Sequence, residues 1–164
     1  MGFRKMRRFK QEMPKEVCER ILREREAGVL AVLGDDGYPY TVPLNYAYVD
    51  GKILFHGAKD GHKVDALRAC DKASFCVIDA DDVVAERMLT HFRSVIAFGR
   101  VRIIDSGDEM KDIARKIGLR FYPNEEAVEK EIAREVRSLA CFEMTIEHLS
   151  GKEDMDLIRQ RNNG

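Results

Sequence analysis

The segment Thr41–Lys63, TVPLNYAYVDGKILFHGAKDGHK, reads as a strand, a tight turn, a second strand and the opening of a helix. Thr41 to Val49 and Lys52 to Gly57 are rich in β-branched and aromatic residues, and Asp50-Gly51 between them suits the positive-φ turn of a hairpin. Pro43 lies inside the first strand, where it has no N–H to give to a ladder and marks an edge or a bulge. The backbone groups of Leu44 and Asn45 are then free to meet something other than a strand, such as the amide-like edge of a planar ligand.

At the far end of the segment Asp60 is a candidate N-cap, and Val64, Leu67 and Arg68 begin an amphipathic helix, so that His62 and Lys63 fall in its first turn. A helix N-terminus favours negative charge, so a basic pair there makes sense chiefly with an anion beside it. Gly57 and Gly61 flank the approach and let backbone come close to a phosphate. The alternative is a solvated Lys63 with His62 facing water, and the residues alone leave both readings open.

A chain of 164 residues with 45% hydrophobic and 35% charged residues has the balance of one soluble domain with its own core. The net charge of −1 gives no bulk electrostatic reason to expect nucleic acid. The basic opening Arg4-Lys5-Met6-Arg7-Arg8 reads as a solvated terminus. Cys18, Cys70, Cys76 and Cys141 have neither C-x-x-C spacing nor adjoining histidines, which predicts reduced thiols and no metal site. No apolar run reaches membrane-spanning length and no signal-peptide core is present, so the expected location is the cytoplasm, away from membranes.

Along the chain, Pro14 opens a helix carrying Val17, Cys18, Ile21 and Leu22 on one face. Gly28 to Leu33, Thr41 to Val49 and Lys52 to Gly57 are expected to form a three-stranded meander. Ala73 to Ile78 follows as a buried strand, Asp79 to Glu86 as an irregular acidic stretch, and His91 to Ile104 as a long strand bent at Gly99. Ser106-Gly-Asp-Glu109 is a capping box for a helix carrying Met110, Ile113, Ala114, Ile117 and Phe121. Pro123-Asn124 begins a charged helix, and Leu139 to Leu149 returns as the last strand. These elements fit a small closed antiparallel barrel decorated by helices. The expected division is a flexible segment 1–12, one domain 13–149 and a tail 150–164.

The order VPLNY, a strand ending FHGA, GHK opening a helix, and HFRSVIAFG downstream resembles the FMN-binding split-barrel proteins related to pyridoxamine 5′-phosphate oxidase, and in particular the nitroimidazole-reductase (Nim-type) branch. The resemblance covers Met13 to His148. It implies a mainly β fold, a six-stranded antiparallel split β-barrel with helices, acting as a homodimer and holding FMN. By position, Val42, Pro43, Leu44 and Asn45 would border the flavin ring, and His56, Gly57, Ala58, His62 and Lys63 would surround its phosphate. Arg93 and Ser94 would add contacts from either subunit, or be a strand-end arginine in water and a turn-capping serine.

The same resemblance gives His56 a catalytic part near the flavin, against the alternative of a satisfied core histidine. It implies an oxidoreductase passing electrons, with a nicotinamide donor, to a small organic acceptor such as a nitroaromatic. The competing reading is a non-catalytic barrel that holds flavin, or holds haem through His56 or His148. The ending MDLIRQRNNG lacks the basic, aromatic- and proline-bearing terminus of enzymes that oxidise pyridoxamine phosphate, which argues against that substrate.

Overall fold

The structure, a computed structural model, describes residues 2–163. Its strands are β1 (Ala27–Leu33), β2 (Pro39–Asn45), β3 (Ala47–Val49), β4 (Lys52–Ala58), β5 (Lys72–Val84), β6 (Leu89–Ile104) and β7 (Leu139–Glu153). The helices are α1 (Lys15–Glu24), α2 (His62–Ala69), α3 (Gly107–Phe121), α4 (Glu125–Glu135) and α5 (Met155–Asn163). The strands form one antiparallel sheet in the order β2-β1-β5-β6-β7-β4-β3.

Asp50 and Gly51, with φ of 51° and 76°, close the β3–β4 hairpin as the sequence suggests. The three-stranded meander does not form. Thr41 to Val49 is broken at Tyr46, and the two pieces occupy opposite edges of the sheet. Tyr46 is fully buried, its ring meets Phe75 edge-on at 5.0 Å, and its N–H donates to the Glu26 carbonyl at 3.1 Å. Burial of this large ring therefore swings the chain out of β2 and into β3. One residue cannot span a flat sheet, so the sheet must roll until its edges lie side by side. The result is the split barrel: seven strands not closed by hydrogen bonds, or six when β2 and β3 count as one interrupted strand.

Two apolar clusters stabilise this arrangement. Leu30, Ile53, Phe55, Phe75, Val77, Val95 and Phe142 fill the barrel, with Phe55 and Phe142 stacked at 5.0 Å. The other strand phase, carrying Ala47, Leu54 and Cys141, packs outward onto Met110, Ile113 and Ile117 of α3 and Val128 and Ile132 of α4. Burying each such large side chain contributes about 1.5–3 kcal/mol. Cys18 and Cys141 are buried free thiols, raised by desolvation to about 11 and about 12 respectively, and Cys70 and Cys76 are free and half-buried.

Asp79 to Glu86 is not irregular: most of it continues β5 as far as Val84, across a bulge at Asp79. Pairing with Leu89–Arg93 supplies the backbone partners that local composition did not foretell. The bend at Gly99 is present as a bulge between β6 and β7, where a Cβ would stand 2.0 Å from the Thr145 carbonyl oxygen. Gly99→Ala is therefore expected to destabilise the protein by about 1–3 kcal/mol through overpacking, read as a lower urea midpoint with an unchanged slope.

Ser106 precedes α3 without making the expected side-chain cap, and Glu109 instead pairs with Arg102 at 2.6 Å. Asn124 does cap α4, its Oδ1 accepting from the Ala127 N–H at 3.0 Å. β7 runs to Glu153, four residues past the strand end read from alternation, because Ser150 to Glu153 pair with Ile96 to Arg93 of β6.

Candidate functional site

β2 pairs only with β1, so its other backbone edge is unpaired, and Pro43 lies on that edge strand as the sequence requires. The strand's side chains alternate: Val42 and Leu44 pack against the barrel core, while Pro43 and Asn45 are exposed. The four residues thus do not present one continuous face of side chains. What they share is the free strand edge. Asn45 is partly committed, since its Nδ2 donates to the Glu26 carbonyl at 3.1 Å.

Helix α2 begins at His62, one residue later than an N-cap at Asp60 implies: Gly61, with φ of 118°, takes the N-cap position that the sequence suggests for Asp60. His62 and Lys63 remain in the first turn. The His62 ring stacks on Tyr40 at 4.1 Å, and its Nε2 is 3.7 Å from an Asp35 carboxylate oxygen. Lys63 turns toward the barrel. Its ammonium lies 4.9 Å from the centre of the Phe142 ring and 6.0 Å from that of Phe55, and it fills the space beside Gly57, where a Cβ would come within 2.6 Å of it. Among the described residues no carboxylate offsets this half-buried charge, and burial alone pushes its pKa down.

His56 does not share that environment. Residues alternate along β4, so Phe55 and Gly57 face the barrel while Leu54 and His56 face the helical layer. His56 opens into a cavity of about 540 Å³, lined by Ala114, Gly118 and Tyr122 of the α3 end and by Ala127, Val128, Glu131, Ile132 and Glu135 of α4. Desolvation first, and then the nearby positive charge of Lys63, hold its pKa below the ordinary 6.5. A proton NMR titration should give a midpoint below that value, and Lys63→Met should move it upward. The fold favours neutral His56, so stability linked to this group is intact above about 6.5 and is lost as pH falls through the lowered midpoint.

Arg93 and Ser94 are placed elsewhere. Arg93 Nε donates to Glu153 at 2.7 Å and its Nη1 to Asp79 at 3.1 Å. Arg161 holds the other Glu153 oxygen at 2.8 Å, and Arg25 the other Asp79 oxygen at 2.6 Å. Glu153 is fully buried. Arg93 is not a solvated strand-end arginine but the centre of an ion network. Its strand partner Glu153 and Gly57's partner Ala140 lie at opposite ends of β7, a contour of roughly 40 Å at about 3.3 Å per residue. Ser94 is half-buried in the ladder opposite Lys152 and caps no turn. Lys63 and Gly57 lie toward the Ala140 end of β7 and Arg93 and Ser94 toward its Glu153 end, while β2 runs between them, from Tyr40 beside His62 to Asn45 at the carbonyl of Glu26, next to Arg25.

The cavity beside His56 was not legible in the sequence, because Ala114, Val128 and Ile132 sit at helical spacing and read as ordinary packing residues. The network at Glu153 was equally hidden, lying beyond the strand end read from alternation. Near it His91, Asp154 and Asp156 place one ligand-type atom each within 4.8 Å of one another, but Arg87 and Arg159 already balance Asp156. Among the described residues no helix is long and apolar enough to cross a membrane.

Residues 14–153 match the family described as pyridoxamine 5′-phosphate oxidase. Among solved structures, the chain is similar to the flavocytochrome Anf3 of Azotobacter vinelandii, with a TM-score of 0.78 and 20% identity over 92% of this chain and 72% of that one. It is similar also to an FAD- and haem-binding protein of Mycobacterium smegmatis, with a TM-score of 0.73 and 19% identity over 88% and 74% of the two chains. A third is a candidate 5-nitroimidazole antibiotic resistance protein of Bacteroides thetaiotaomicron, with a TM-score of 0.70 and 19% identity over 86% and 85%. Comparison with curated proteins gave no match.

Proposed function

Because the chain belongs to the pyridoxamine 5′-phosphate oxidase family, we propose that it is an FMN-binding flavoprotein, an oxidoreductase passing electrons to a small organic acceptor such as a nitroaromatic. The observation that carries this reading is Lys63, a half-buried ammonium with no carboxylate partner among the described residues, set in the first turn of a helix and against the backbone of Gly57. Holding an uncompensated charge there is costly, and a phosphate removes the cost.

In this reading Lys63 and the N–H groups opening α2 hold the phosphate, with Gly57 leaving room for both. His62, fixed on Tyr40, closes the outer side, and His56 and Ala58 support the strand end without pointing into the cradle. The free edge of β2 at Pro43 and Leu44 orients the ring through backbone groups. The flavin, when bound, supplies the electron transfer that the chain's own side chains lack. His56, held neutral beside the positive Lys63, has one nitrogen able to donate and one able to accept a proton on the helical side of β4.

A flavin lying along an exposed strand edge needs a second wall to exclude water, which favours a homodimer whose partner brings the Arg93 and Ser94 end of its barrel to the site. Similarity to a protein described as binding FAD and haem supports the flavin reading, and the cytoplasm is the proposed place of work. The test is anaerobic: FMN-loaded protein should be bleached by a nicotinamide nucleotide and reoxidised stoichiometrically by a nitroaromatic. Bound flavin that no nicotinamide reduces would remove the oxidoreductase part and leave a binding protein.

One observation favours haem as a second reading. The His148 ring stacks on Phe3 at 4.7 Å, beside Phe98, in a cavity of about 740 Å³ also lined by Arg4, Lys5 and Arg7, cations suited to propionates. A Soret band lost in His148→Ala would establish it. A haem titration without a saturable band would discard it.

A further inference from the structure

The cavity on the helical side of β4 has no part in phosphate binding, yet it has the size and chemistry of a ligand site. At about 540 Å³ it falls within the range of small-molecule pockets, and its floor is made by Ala114, Val128 and Ile132, all nearly buried. The polar groups are few and convergent. His56 lines it from β4, and Glu131 and Glu135, half-exposed and one helical turn apart, line it from α4. Arg134, itself 70% exposed, pairs with both carboxylates from the solvent side, so the pair keeps a net negative charge.

We infer that this cavity is a subsite for a small planar aromatic ligand carrying a positive charge or N–H donors, and that it rejects phosphorylated ligands. The flat apolar floor takes the ring. Neutral His56 offers one acceptor and one donor, and the carboxylates take the cation or the N–H groups. No lysine or arginine lines the cavity, and its two carboxylates outnumber the single Arg134 that pairs with them, so a phosphate placed there would meet net negative charge. His56 and Gly57 are consecutive in β4, which sets this subsite back to back with the Lys63 cradle. The inference does not require that the cradle hold flavin.

The test uses the full-length protein, with and without added FMN, and follows backbone amide and histidine ring resonances by NMR. Benzamidinium should shift His56 and Gly118 saturably, and phenyl phosphate should bind at least about tenfold more weakly. The double variant Glu131→Gln, Glu135→Gln should lose about two- to tenfold in benzamidinium affinity while its affinity for neutral benzamide stays the same. Ala127→Trp, at an exposed position on the rim, should abolish binding of both probes. Equal binding of phenyl phosphate, or saturable shifts that survive Ala127→Trp, would overturn the assignment, as would the absence of saturable shifts with benzamidinium. These outcomes stand apart from the flavin reading, since they are scored identically in protein that binds no FMN.

Discussion

Lys63→Ala should lower FMN affinity by about 1.5–3 kcal/mol, the range of a hydrogen bond to a charged group, or roughly tenfold to a hundredfold and more. Among the described residues no carboxylate pairs with the half-buried wild-type ammonium in the first turn of α2, which is the ground for proposing an anion beside it. Riboflavin, which lacks the phosphate, is the control. Its affinity should barely change, because the β2 edge is untouched. Equal weakening of both ligands would mean that Lys63 supports the fold through the Phe142 and Phe55 rings. No weakening of either would make Lys63 a bystander.

Glu153→Ala should be the more damaging change to stability. Glu153 is fully buried and accepts from Arg93 and Arg161, which are themselves 21% and 24% exposed. Removing one partner of a buried ion network leaves the other charges uncompensated, at a cost of about 3–5 kcal/mol. For a chain of this size each kcal/mol moves the melting temperature by roughly 2–4 °C, so a fall of about 6–20 °C is expected. Calorimetry of the flavin-free protein checks the assignment, because in the proposed dimer the Arg93 that Glu153 holds stands beside the partner's flavin. A fall of under about 2 °C would show that water, not Glu153, satisfies the two arginines.

The hairpin at Asp50-Gly51, the edge position of Pro43, the bulge at Gly99 and the helix start at His62-Lys63 could each be read from the chain, because each is fixed by local backbone chemistry. Tyr46 could not. Its place between two edges depends on Phe75, on a strand distant in sequence, so local composition shows one continuous strand where the fold has a break. Asp79 to Val84 likewise looked irregular because its stability comes from pairing with β6. For the candidate site, Lys63 and Gly57 came together as their spacing implied, since both belong to one strand–helix connection. The orientation of His56 followed strand alternation, already visible in Leu54, but only α3 and α4 reveal what that face meets. Arg93 was out of reach, because its partners Asp79, Glu153 and Arg161 converge only through the ladder and α5.

The central claim is that the Lys63 cradle holds the phosphate of a mononucleotide flavin. The most direct measurement is chromatographic identification of the chromophore released by heat from purified protein, repeated after reconstitution with an equimolar mixture of FMN, FAD and riboflavin. FMN, at one per chain, is the predicted result: the site offers one cationic phosphate cradle and the chain has no dinucleotide fingerprint. Recovery of FAD in its place, or of no flavin even after reconstitution, would contradict it.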